Sequence, residues 1–266
     1  MNHHQTFAFA VLLALCACTE PAAPPRPSSE PEQPPPPPVA AARDTVMKID
    51  NTTDTLVYYR SKTGRIYKMR IAGTDEFQEE GGATDADICG TDEFRGSARK
   101  AAKTSIVQAN MEDFPSVATM RASLEDDETM KIKVQRGAPR VAEEKRNVTL
   151  VRVFLLAIKR EDDNDFHIII GDSPDASASE LFNIELSGVP ATGSSRTALQ
   201  AMRDKFENEF DGICGQRYAR FEDGVEADVG GSLFFDIDHD AGVVGPQGMR
   251  PNTAWEIHPI TSLDLR

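Results

Sequence analysis

Residues 148–172, VTLVRVFLLAIKREDDNDFHIIIGD, decide the fold. An apolar run over 150–158 gives way to Lys159-Arg160-Glu161-Asp162-Asp163-Asn164-Asp165, and a run rich in β-branched residues follows over 166–170. Apolar, strand-favouring runs on both sides of a short polar turn predict a β-hairpin. Downstream lie a loop at 173–179, a strand at 181–186 and the turn Ser187-Gly188-Val189-Pro190. A helix is expected from Ser195 to Phe210, because Leu199, Met202, Phe206 and Phe210 recur at spacings of three and four. Two strands close the chain, near 225–237 and 255–263, with Gly230-Gly231 as a bulge or bend in the first. Three strands, a helix and two strands is the order of an OB-fold, whose helix plugs one end of a five-stranded barrel. The same elements could also be written as an open α+β sheet.

Upstream, 44–145 reads as an N-terminal α+β annex to this mainly β domain, which occupies 146–266. Residues 55–60 and 65–71 alternate apolar and polar around Lys62-Thr63-Gly64, the pattern of a hairpin. An acidic loop follows over 74–87. Helices are expected over 98–109 and 115–124, the second capped by Asp113 or Ser116, and a short strand and turn over 131–140.

The N-terminus, MNHHQTFAFAVLLALCACTE, holds an apolar run from Phe7 to Ala17, too short for a permanent membrane span. It reads as an export signal over 1–17. Leu15-Cys16-Ala17-Cys18 resembles the lipobox of bacterial lipoproteins, with Cys18 as the residue to be lipidated, although the leader lacks Lys and Arg. A Thr at position 19, where Asp would signal inner-membrane retention, implies by the same resemblance the outer membrane. Residues 18–43 then carry the anchor and a Pro-rich tether, since proline fixes φ and removes hydrogen-bond donors. The expected location is the cell envelope, with the membrane as partner through the lipid.

A net charge of -14 across 266 residues argues against nucleic-acid binding, which needs a basic face to release counterions. Beyond Cys18, the exported chain keeps Cys89 and Cys214, and an oxidising compartment favours a disulfide between them. Such a bond would close a loop of about 125 residues and stabilise by roughly 4 to 5 kcal/mol on the loop-entropy model.

His167, His239 and His258 fall at the margins of barrel strands. Period-2 alternation puts Asp165 with His167 on one face, and Glu256 with His258 on another. Asp236, Asp238 and Asp240 flank His239. Imidazoles and carboxylates that converge could hold a divalent cation and activate a water, so His167, His239, Glu256 and His258 are the candidate metal ligands. Hydrogen bonding of each histidine to a neighbouring carboxylate is the plainer alternative. Asp162, Asp163 and Asp165 lack the twelve-residue spacing of a calcium loop. Trp255 and Asp165 are candidates for a ligand face, Trp255 through stacking on a sugar or base, with a place in the core as the plainer reading of Trp255.

The residues GSLFFDIDHDAGVVGPQGMRPNTAWEIHPITSLDL (231–265) and EDDNDFHIII (161–170) resemble a group of uncharacterised bacterial proteins. These share a G-x-x-F-F-D-x-x-H...G...P...E-[IL]-H-P pattern and an upstream D-x-D-[YF]-H-[LI] element. The resemblance implies a shared fold over about the last 120 residues and no particular activity. The expectation is therefore an envelope lipoprotein whose OB-like domain binds or interacts, with another envelope protein or a glycan as candidate partner. Its rival is a metal-dependent envelope hydrolase.

Overall fold

A computed structural model of the chain describes residues 46–50, 55–71, 91–210, 213 and 217–266. Cys18, Cys89 and Cys214 lie outside these residues, as do the leader and tether.

Nine strands form one continuous sheet: β1 (Val46–Asp50), β2 (Thr55–Arg60), β3 (Ile66–Ile71), β4 (Met111–Phe114), β5 (Asn147–Arg160), β6 (Phe166–Gly171), β7 (Leu181–Leu186), β8 (Ala219–Phe235) and β9 (Trp255–Leu265). The last five close a barrel. β5 pairs antiparallel with β6, β6 with β7, β8 with β9, and β8 returns to β5. The remaining seam, β7 to β9, is parallel. This is the OB-type closure that the element order predicts.

The helix between the third and fourth barrel strands, Arg196–Phe210, buries Leu199, Met202, Phe206 and Phe210. Phe206 packs on Phe166 with ring centroids 4.9 Å apart, and Phe210 meets Tyr67 at 5.2 Å. Each such side chain contributes about 1.5 to 3 kcal/mol by burial. The helix thereby seals the barrel and ties β3 to it. At the β8–β9 crossing the register shifts on both sides of Gly231, where a Cβ would meet Pro259 O at 2.3 Å. The Gly-Gly bend expected from the sequence is thus a close approach of two backbones.

The annex departs from expectation in three places. Within 98–109 only Lys100–Lys103 is helical (α1). The chain then leaves the helix because the Val107 N–H donates to Ser232 Oγ at 3.0 Å, and Asn147 Nδ2 donates to the carbonyls of Val107 and Ala109. Tertiary hydrogen bonds override helix propensity there. Ser116 caps α2 (Val117–Arg121), as one of the two proposed caps. Residues 131–140 form no strand: Asp126 accepts from the Thr129 N–H and nucleates α3 (Asp127–Lys133), which absorbs the apolar run. Finally, β4 pairs parallel with β5. Four residues of mixed polarity gave no strand signal. With α1, α2 and α3 counted, the helix Arg196–Phe210 is α4.

Candidate metal centre

Alternation on the barrel strands sorts side chains as the sequence implies, but both faces are covered. On β7, Phe182, Ile184 and Leu186 enter the core, while Asn183 and Glu185 point outward. On β9, Trp255 and Ile257 enter the core, leaving Glu256 and His258 outside. Register brings the outward residues together, since His167 lies opposite Glu185 and Asn183 opposite Glu256. An outward strand face on a barrel ordinarily meets solvent or a groove. Instead Glu185 and His258 are 0% exposed and Glu256 is 2%.

The cover is the annex. Phe94 packs against Gly188, and Glu93 forms a bridge with Val189. Arg140 donates to the His258 carbonyl at 2.6 Å. Lys103, on α1, brings its Nζ to 4.0 Å from Glu185 Oε2 and 3.9 Å from Asp236 Oδ2. Phe234, outward on β8, stacks obliquely on His258 with centroids 5.4 Å apart.

Beneath this cover Glu185 is the hub. Its Oε1 lies 2.8 Å from His167 Nε2 and accepts from Asn183 Nδ2 at 2.9 Å, while its Oε2 lies 2.7 Å from His258 Nδ1. Asn183 Nδ2 also donates to Glu256 Oε1 at 3.0 Å. The other ring nitrogen of His258, Nε2, is 3.4 Å from Asp165 Oδ2, and Asp165 Oδ1 accepts from the Gly188 N–H at 2.5 Å. Beside this group, His239 Nδ1 lies 2.8 Å from Asp236 Oδ2. Asp165, Glu185 and His258 offer ligand atoms within 4.8 Å of one another, and so do Asp236, His239 and Glu256.

All four sequence candidates therefore enter one polar layer. His239 lies beside Glu256. His167 joins the same group: its ring is 6.1 Å from that of His239, and Glu185 links it to His258. For Trp255 the ligand-face reading is corrected and the core reading holds. It is a core residue, edge-on to Phe235 at 5.6 Å with its Nε1–H donated to Glu125 O, and it faces no ligand. Glu185, Asn183 and Lys103 escaped the sequence reading. The alternation of LFNIEL did place Asn183 and Glu185 on one face. Nothing local placed Lys103.

Electrostatics split the carboxylates into two kinds. Burial, then the charge of Asp163, pushes Asp165 well above the usual range. Burial, then Glu185 and Asp236, does the same to Glu256. Burial also works against ionised Glu185, but His167, His258 and Lys103 outweigh it and hold Glu185 well below its ordinary value. Asp236 is likewise opposed by burial yet drawn down to about 2 by His239 and Lys103. Burial lowers His258, only partly offset by Glu185. For His167 burial is overcome by Glu185 and Glu161, and its pKa rises. The layer thus sets Glu185 and Asp236, drawn toward the ionised form, beside Asp165 and Glu256, drawn toward the protonated form.

A group of acids and histidines is not by itself a metal site. Here Asp165 Oδ2, Glu185 Oε2, Glu256 Oε2 and both nitrogens of His258 are buried with no hydrogen-bond partner among the described residues. The 2.7 Å approach of His258 Nδ1 to Glu185 Oε2 lacks hydrogen-bond alignment. Unsatisfied polar atoms on adjoining side chains are costly in a dry interior, and a cation held by one atom each of Asp165, Glu185 and His258 would relieve part of that cost. One imidazole with carboxylate oxygens suits Zn²⁺ or Mn²⁺.

No protein-family model, curated protein or solved structure matches this chain.

Proposed function

We propose that the protein is an exported, lipid-anchored binding module whose OB-type barrel holds a divalent metal ion at Asp165, Glu185, Glu256 and His258. The observation that carries this reading is the convergence of buried, unpartnered ligand atoms on Asp165, Glu185 and His258, with Glu256 Oε2 3.7 Å from His258 Nδ1. Their place supports it, because the second and third strands of an OB barrel are the face such folds use for ligands. The annex fills that face here, so a glycan or oligonucleotide has no room on it. A metal-dependent hydrolase needs an open coordination position. Complete burial of Asp165, Glu185 and His258 favours a held ion instead.

The test is metal analysis of the chelator-stripped protein after return of Zn²⁺ or Mn²⁺, with calorimetry and thermal unfolding. One ion per chain is expected. At a hundred times the dissociation constant it should stabilise by about 2.7 kcal/mol. Failure to take up either ion would remove the reading. Binding should also strengthen with pH. Asp165 and Glu256 have raised pKa values, so their contribution to stability is present below their unfolded values and is lost as pH rises through the folded ones. An ion takes the place of those protons, and each proton displaced makes affinity rise by up to about tenfold per pH unit. Titration at pH 6, 7 and 8 reads the slope, and a flat profile contradicts it.

Anchoring has a separate test. Cys18→Ala is expected to move the protein from the membrane fraction to the soluble fraction, because the lipid on that residue is the anchor the lipobox implies. Retention of the variant on membranes after a salt wash would contradict lipidation.

A further inference from the structure

The Nζ of Lys103 lies between the two ligand groups, 4.0 Å from Glu185 of one and 3.9 Å from Asp236 of the other. Only 7% of the residue is exposed. Both distances are too long for hydrogen bonds, so the ammonium acts on the carboxylates as a nearby point charge. It also lies 5.8 Å from the centre of the Phe234 ring. A divalent ion bound to Glu185 would stand within a few ångströms of this like charge, in surroundings where screening is weak.

We propose that Lys103 is a built-in competitor for the metal, its ammonium neutralising the carboxylates that a divalent ion would use and being driven outward when the ion enters. This rests on the metal-binding reading and adds what sets the affinity. Lysine suits such a role because its charge sits on a flexible four-carbon stem, which can withdraw without moving the backbone. Arg99, one turn earlier, could not do so: its guanidinium is fixed by Glu144 and by the carbonyls of Phe235, Ala138 and Pro139. The α1 backbone is thereby anchored at Arg99, leaving the Lys103 side chain as the part able to move.

The experiment compares Zn²⁺ and Mn²⁺ dissociation constants of the wild type, Lys103→Met and Lys103→Arg by calorimetry at pH 7.5, with circular dichroism as the control for folding. Lys103→Met is expected to bind at least about tenfold more tightly, because loss of a like charge near 4 Å favours the incoming ion. Lys103→Arg, which keeps the charge, should bind no more tightly than the wild type. A second measurement avoids dependence on the variant's folding. In the wild-type protein, acetylation of Lys103 by acetic anhydride, followed by peptide mass spectrometry, should speed up severalfold when metal is added.

Metal bound by the wild type but not tightened by Lys103→Met, with Lys103 labelling unchanged, would overturn the competitor while leaving the metal centre in place. Uptake by Lys103→Met alone would support the competitor and refute occupancy of the native site. No uptake by any form would overturn both.

Discussion

Replacing Glu185 with Gln is expected to reduce divalent-metal affinity by about a hundredfold or more and to destabilise the domain by about 3 to 5 kcal/mol, because one buried partner of several charges is removed. Gln keeps the shape and removes only the charge. In the native protein that charge faces His167 at 2.8 Å, His258 at 2.7 Å and Lys103 at 4.0 Å, with no water-exposed surface on Glu185 itself. The Lys103 ammonium, and His167, whose pKa this charge helps to raise, would lose their shared counter-charge in a dry layer. At about 2 to 4 °C per kcal/mol for a domain of this size, the thermal midpoint should fall by roughly 6 to 20 °C. The pH dependence identifies the cause. Since the folded pKa of Glu185 is held below its ordinary value, its contribution is present above the unfolded pKa and lost as pH falls through the folded one. The gap between wild type and variant should therefore close on acidification. A variant that binds metal as the wild type does would show that Glu185 is no ligand.

The second large effect lies in the cover. Glu144→Ala should cost about 3 to 5 kcal/mol, since it strands the Arg99 guanidinium in the interior. Both side chains are essentially buried, and they pair through two bonds, Nη1 to Oε1 at 2.8 Å and Nη2 to Oε2 at 2.7 Å. Glu144 also accepts from the N–H groups of Phe235 and Val141, so the substitution orphans two backbone donors as well. Arg99 itself has a φ of +43°, a left-handed conformation that its own contacts must hold in place. Urea unfolding of Glu144→Ala and of the double variant Arg99→Met, Glu144→Leu separates charge from packing. The double variant should recover a large part of the loss, because no isolated charge remains. A cost below about 1 kcal/mol for Glu144→Ala would mean that water reaches Arg99.

Much of the barrel was legible because its signals are local. The β-branched run of β6, the period-2 runs of β7 and β9 and the three-and-four spacing of Leu199, Met202, Phe206 and Phe210 each depend on a few consecutive residues. Their order then restricts the closure to few topologies. Alternation also assigned Glu256 and His258 to the face opposite Trp255. It could not say that this face is buried, because burial depends on what lands there.

The annex was the least legible part for the same reason. Residues 131–133 complete a helix started by Asp126, and 104–109 leave one to hydrogen-bond Ser232 and Asn147, partners 125 and about 40 residues away. The hub of the site followed suit. The sequence by itself determined which residues share a strand face, because side-chain direction is a property of the local backbone. That Asp165, Glu185, Glu256 and His258 meet, with Lys103 among them, is a tertiary outcome, because those contacts join the β5–β6 turn, two barrel strands and α1 across long stretches of chain. The same packing that removes water from these carboxylates gives them their shifted protonation, and no property of an isolated Glu or His carries that information.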